Sequence, residues 1–223
     1  PDHLDRYPSV EAYYADKARM FRNATPTSIW VLNAEDAAAT ELPGEADGTR
    51  RVFRVNTSLR EQEEGGWIDS GGDLRIRVNS TETRLLHHTE LRVLGEHNRA
   101  NALAAAVAAA SAGAASSAIV EGLRTFGGLE HRLEVVADHD GVLWVNDSKA
   151  TNISSTLVAL RSLTRPVVLL LGGRHKGEPY TQLLPAFGAR DVRVIAFGEA
   201  AGIAVVLTER ALSNEVITPG QTT

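Results

Sequence analysis

From Gly128 onward, short apolar runs alternate with stretches of helical spacing, and this alternation constrains the fold more than any other feature. Runs at 133–137, 142–145, 166–171, 192–197 and 215–217 read as strands. Stretches at 153–163, 180–188 and 200–211 read as helices. Such alternation implies right-handed βαβ units and a largely parallel sheet. Upstream the pattern is mixed. A strand at 28–32 is followed by short strands at 51–55, 66–68, 74–78 and 84–87, two of them joined as a hairpin at Gly71-Gly72-Asp73. The expected class is therefore α/β, with a boundary at Gly127-Gly128 that separates residues 1–127 from 128–223.

Asn146-Asp147-Ser148-Lys149-Ala150-Thr151-Asn152 lies where the strand at 142–145 turns into the helix at 153–163. In open α/β sheets the carboxyl ends of strands are where ligands bind. The stretch places a carboxylate, hydroxyls, amides and an ammonium ahead of a helix start, whose N–H groups suit an anion. A capped βα loop, with Ser148 or Thr151 as the N-cap, accounts for all of it except the lysine. A second turn, Gly172-Gly173-Arg174-His175-Lys176-Gly177, follows the next strand. If the two strands are parallel neighbours, Lys149, Thr151 and Lys176 converge on an anion, with carboxylate and phosphate equally allowed. Neither turn is a Gly-x-x-x-x-Gly-Lys-Ser/Thr phosphate loop.

Composition removes several classes. The net charge is −5 with both signs interspersed, which gives no electrostatic case for nucleic acid. The absence of cysteine excludes a disulfide framework and Cys-ligated zinc, and fits a reducing cytosol. No signal peptide is visible in Pro1-Asp2-His3-Leu4-Asp5-Arg6, and the opening residue is not Met, as in a piece of a longer polypeptide. The Ala-rich run at 101–120 is too weakly apolar for a membrane span. It reads as two close-packed helices split near Gly113, the second capped by Ser116 or Ser117.

Ser9 reads as the cap of a helix running to about Arg22, with Val10, Tyr13, Tyr14, Ala18 and Phe21 on one stripe. Lys17 falls on that stripe. A lysine there must pair, snorkel or be chemically altered. Snorkelling is the plain reading. The sharper one is an oxygen-rich metal site with Asp2, His3 and Asp5 that a modified lysine joins. His87 and His88 are neighbours in a strand pattern, which sends their rings to opposite faces, and they read as structural. Asn98 and Asn101 share a helical face beside His97. They either cap the helix or read a purine edge or ribose.

Gly128-Leu129-Glu130-His131-Arg132-Leu133-Glu134, then Asn146 to Asn152, then Leu169-Leu170-Leu171-Gly172-Gly173, resemble the Mur ligases. Asp2-His3-Leu4-Asp5-Arg6 and Gly95-Glu96-His97-Asn98 are similar to that family in the expected order. The Asn146–Asn152 stretch points to the branch that adds D-glutamate to UDP-N-acetylmuramoyl-L-alanine. The resemblance implies a cytoplasmic ATP- and Mg²⁺-dependent ligase of peptidoglycan synthesis, a monomer when complete, with no membrane or nucleic-acid partner. It implies the later part of a P-loop-type central ATPase domain, without the P-loop itself, followed by most of a Rossmann-like C-terminal domain. His3 matches the metal-binding histidine, and Lys17 the lysine that the family carbamylates to support a second Mg²⁺. Asn98 matches the adenine-contacting amide; Arg132 and Asp147 match contacts to the phosphates and the ribose hydroxyls. His131 stands beside them, in a role the resemblance does not fix. Lys149 matches a lysine near the reacting phosphoryl group, and Thr151 and Lys176 match residues that hold the D-glutamate carboxylates. Two other readings stand beside this one: a non-catalytic Rossmann-like remnant, and a sister Mur ligase with another amino acid.

Overall fold

The computed structural model describes residues 6–173, 179–187, 191–199 and 201–202. The chain divides into two compact units. The first takes in the chain up to Arg92 together with Glu96–Phe126, and the second Val93–Gly95 together with the chain from Gly127.

In the first unit, α1 (Val10–Ala18) is capped by Ser9, whose hydroxyl accepts the Ala12 N–H at 3.2 Å. It ends four residues before the expected Arg22, passing into a 3₁₀ turn at Arg19–Phe21. None of its residues is buried. Of the apolar stripe only Phe21, beyond the helix in the 3₁₀ turn, is buried, and Lys17 is exposed.

Strands β1 (Ile29–Asn33), β2 (Thr49–Arg54), β3 (Gly65–Ile68), β4 (Asp73–Val78) and β5 (Thr81–His87) form one sheet in that order. A short helix, α2 (Ala37–Glu41), connects β1 to β2. β1, β2 and β3 run parallel, whereas β3, β4 and β5 run antiparallel. The β3–β4 turn is built by Asp69, whose Oδ1 accepts the N–H groups of Gly71 and Asp73 at 2.9 and 3.0 Å. Helix α3 (Glu96–Ser111) packs Leu103, Ala106 and Val107 into the sheet's core beside Leu74, Ile76 and Leu86. Its small alanines permit close approach, and Gly66 completes the fit. A Cβ on Gly66 would lie 2.9 Å from Val107 Cγ2. Helix α4 (Ser116–Thr125) follows. Its N-cap is Ala115, with no side-chain bond, so neither Ser116 nor Ser117 caps it; both lie inside the helix. Among the described residues no helix is long and apolar enough to cross a membrane.

In the second unit, β6 (Glu134–His139) and β7 (Val142–Asn146) pair antiparallel as their own two-stranded sheet. The parallel-neighbour expectation for the strand at 142–145 fails here. Asp140 and Gly141 both take positive φ, 52° and 77°, the backbone of a tight hairpin turn that returns the strand on its partner. β8 (Val167–Gly172) and β9 (Val192–Phe197) pair parallel, as the strand–helix alternation requires. Helix α5 (Ile153–Ser162), a 3₁₀ turn at Tyr180–Leu183 and α6 (Leu184–Phe187) share a core with this pair through Ile153, Leu160, Leu183 and Val194. The expected helix at 200–211 and strand at 215–217 lie largely or wholly outside the described residues.

Candidate functional site

The chemistry of the second unit gathers where β7 ends. Two segments are laced together there: the loop before β6, and the turn from Asn146 to Asn152. Leu133 donates its N–H to Asp147 Oδ1 at 3.1 Å, and Lys149 donates its N–H to the His131 carbonyl at 3.1 Å. The turn is closed internally by the Ala150 N–H on the Asp147 carbonyl at 2.8 Å. These bonds bring His131, Arg132, Asp147 and Lys149 onto one short stretch of surface. The Arg132, Lys149 and Thr151 residues are exposed, and Asp147 is half-buried.

The loop carries backbone strain. His131 and Leu133 hold φ of 66° and 45°. Histidine is one of the side chains that tolerates the left-handed region; leucine is not. Leu133 is nevertheless buried at 7% exposure, and its N–H is paired with Asp147. Burial and that bond together offset a cost of about 1–3 kcal/mol.

The helix start is set by Asn152. Its backbone is extended, and its Oδ1 accepts the Ser155 N–H at 2.8 Å. Neither Ser148 nor Thr151 is the cap, because the helix begins at Ile153 and only Asn152 stands at its threshold. Thr151 is thereby left with its hydroxyl uncommitted to the helix.

Two residues outside the sequence-derived set organise the loop. Glu134 Oε2 accepts the His131 N–H at 2.8 Å and the Asn146 Nδ2 amide at 3.2 Å. Asn146 Nδ2 also meets His131 Nδ1 at 2.8 Å. The sequence offered one hint of this: a carboxylate three residues after His131.

In the first unit, Asn98 and Asn101 share a face of α3 as expected, and Asn101 Nδ2 donates to Asn98 Oδ1 at 3.3 Å. Lys17 Nζ sits 5.3 Å from the centre of the Tyr13 ring, a cation–π contact at the surface. His3 and Lys176 lie outside the described residues. Among the described residues no group of three or more His, Cys, Asp or Glu side chains could hold a metal ion. His87 and His88 do not diverge. β5 ends at His87, the chain turns into a 3₁₀ segment, and the two rings stack at 4.5 Å.

Residues 1–109 match the Mur ligase middle domain. The chain is also similar in fold to UDP-N-acetylmuramate-alanine ligase from Thermotoga maritima, with a TM-score of 0.67 over 97% of this chain and 48% of that one, at 20% identity. Folylpolyglutamate synthase from Mycobacterium tuberculosis, complexed with ADP and AMPPCP, gives a TM-score of 0.62 over 92% of this chain and 48% of that one, at 20% identity. Residues 1–109 therefore belong to the Mur ligase family. Within it, the chain is 43% identical to UDP-N-acetylmuramoylalanine--D-glutamate ligase of Anaeromyxobacter dehalogenans over 209 residues. That match takes in 90% of this chain but 45% of the relative, so the chain spans less than half the length of the protein it resembles.

Proposed function

We propose that this chain is part of a cytoplasmic, monomeric ligase that uses ATP to join D-glutamate to UDP-N-acetylmuramoyl-L-alanine. The observation that carries this reading is the 43% identity to a D-glutamate-adding relative across 209 residues, a span that includes much of the chain's chemistry. The lacing of His131, Arg132, Asp147 and Lys149 at the end of β7 supports it. In this reading residues 1–127 serve the nucleotide and residues 128–223 serve both nucleotide and amino acid.

The reaction activates the substrate carboxylate as an acyl phosphate, and the D-glutamate amine then displaces phosphate. The protein's part is positioning and charge neutralisation. The Asn98 amide suits the adenine edge. The exposed Arg132 guanidinium suits phosphate oxygens, which match its fork of donors. Asp147 spends Oδ1 on Leu133, and Oδ2, which has no partner among the described residues, suits ribose hydroxyls. Lys149 supplies a point charge near the transferred phosphoryl group. Thr151 and Lys176 are assigned to the D-glutamate carboxylates, and His131 to a donor role beside the nucleotide. His3 and a carbamylated Lys17 are the residues that would hold Mg²⁺, which would supply charge neutralisation to the phosphates. The described residues gather no set of ligands for it.

The sequence contains no Gly-x-x-x-x-Gly-Lys-Ser/Thr cradle for the β- and γ-phosphates. This chain by itself is therefore expected to bind nucleotide weakly and to turn over no ATP. The assignment of Lys176 is tested in the polypeptide that carries this chain. Lys176→Ala should raise the KM for D-glutamate and leave ATP affinity nearly unchanged, a loss of about 1.5–3 kcal/mol for a charge-assisted contact. An unchanged KM removes Lys176 from the site.

A further inference from the structure

His131 is held by a chain of hydrogen bonds whose direction is fixed from both ends. At one end, the Ser148 N–H meets Asn146 Oδ1 at 3.1 Å. A backbone N–H only donates, so this contact identifies the atom as the amide oxygen. The other arm of Asn146 is then its NH₂ group, which only donates. It reaches Glu134 Oε2 at 3.2 Å and His131 Nδ1 at 2.8 Å, one for each of its hydrogens. Glu134 accepts at its end, as a carboxylate must. His131 Nδ1 therefore accepts as well, and the ring proton stands on Nε2. Which imidazole nitrogen carries the proton is set by the bond the other nitrogen makes.

The main chain completes the clamp. The His131 N–H donates to the same Glu134 Oε2 at 2.8 Å, and the His131 carbonyl accepts the Lys149 N–H at 3.1 Å. The residue is thus gripped through its amide, its carbonyl and one ring nitrogen while it sits at φ 66°. Its side chain remains 50% exposed, and Nε2 has no hydrogen-bond partner among the described residues. The arrangement leaves a single oriented donor beside Arg132.

We infer that Asn146 and Glu134 are positioning residues that hold His131 as the Nε2–H tautomer, so that the ring offers one donor to an oxygen of the bound nucleotide. What that donor meets rests on the ligase reading above; the tautomer itself does not. Both residues act through His131 and neither touches substrate.

Substitution at Asn146 separates this role from a merely structural one. Asn146→Asp keeps shape and keeps an acceptor for Ser148, but replaces the NH₂ donor by a second acceptor. His131 Nδ1 must then carry a proton. The experiment is ¹⁵N–¹H correlation of the histidine rings in the ¹⁵N-labelled chain, with the His131 signals identified by their loss in His131→Gln. The unsubstituted chain is expected to show an unprotonated Nδ1 and a protonated Nε2. Asn146→Asp is expected to show a protonated Nδ1, and Glu134→Ala a mixture of tautomers. A proton on Nδ1 in the unsubstituted chain, which needs no variant to fold, overturns the inference. So does an unprotonated Nδ1 in a folded Asn146→Asp chain. ATP is then added to the labelled polypeptide that carries this chain, and its effect is read on the same signals. If Nδ1 is unprotonated and the ring signals do not move with ATP, the positioning role stands and the nucleotide reading is the one that fails.

Discussion

Leu133 and Asp147 stand 14 residues apart and are joined by one hydrogen bond, from the Leu133 N–H to Asp147 Oδ1 at 3.1 Å. That bond holds a buried leucine in left-handed backbone and ties the loop before β6 to the turn after β7. The same carboxylate is the one assigned to the ribose hydroxyls. Structure and binding therefore draw on different oxygens of one side chain.

The two roles separate by substitution. Asp147→Ala leaves the Leu133 N–H unpaired and should cost about 1–3 kcal/mol in denaturant unfolding of the second unit. Asp147→Asn keeps an acceptor for Leu133, so its unfolding midpoint should stay close to that of the parent. Its nucleotide affinity should fall all the same, because an amide replaces the carboxylate. Equal unfolding losses in both variants would show that the charge, not the acceptor, holds the loop.

Gly66 tests the packing of α3. Gly66→Ala puts a Cβ 2.9 Å from Val107 Cγ2 and 3.3 Å from Leu103 Cδ2, both on a helix that is already close to the sheet. Overpacking of this kind costs about 1–3 kcal/mol. Val107→Ala in the same chain opens the space, so the double variant should lose less than the sum of the single losses. Strict additivity in thermal or denaturant unfolding would show that α3 does not press on β3.

The stacked histidines give the first unit a pH dependence. Burial, with Arg99 and the His87 ring adding, holds His88 below the ordinary imidazole value of 6.5. The unfolded chain then takes up a proton more readily than the folded one. Its contribution to stability is complete above pH 6.5 and is lost as the pH falls from there towards the lower folded value. Nearby Glu90 acts in the same direction further down. The Arg124 guanidinium, with the His87 N–H, lowers its carboxyl, so its contribution is present above the ordinary carboxylate value and lost at more acid pH. His88→Gln should flatten the fall in stability just below pH 6.5 and leave the more acid part in place. A slope unchanged in that window would place the titration elsewhere.

Lys17 distinguishes a modified lysine from a surface one. If it is carbamylated in the complete polypeptide, Lys17→Ala should lose most ligase activity and regain part of it with acetate or formate, which restore an oxygen ligand. An unrescued variant with full activity would mean that Lys17 does no more than cover Tyr13.

Much of this architecture was legible in the residues. The strand at 192–197 matches β9 in full, and the strand at 166–171 differs from β8 by one residue at each end. Periodicity reports such elements well because burial repeats with the backbone. It does not report what an element packs against. Lys17 lies on an apolar stripe, yet α1 buries none of its residues. Alternation suggested a parallel neighbour for the strand at 142–145, but the Asp140-Gly141 turn pairs it with β6, since two consecutive positive-φ residues reverse the chain locally. His87 and His88 obeyed strand alternation only as far as the strand ran. Within the site, Asp147 and Lys149 stood out by residue type and place. Glu134 and Asn146 did not, because their role exists only once the loop at 129–133 lies against the turn at 146–152.

If this chain serves a D-glutamate-adding ligase, phosphate release from ATP must depend on that amino acid. The polypeptide that carries the chain is incubated with ATP, Mg²⁺ and UDP-N-acetylmuramoyl-L-alanine, and D-glutamate, L-glutamate, L-alanine, L-lysine and meso-diaminopimelate are added singly. Sustained release is expected with D-glutamate and with none of the others. Release driven by another amino acid, or none with D-glutamate from a folded and complete polypeptide, would contradict it.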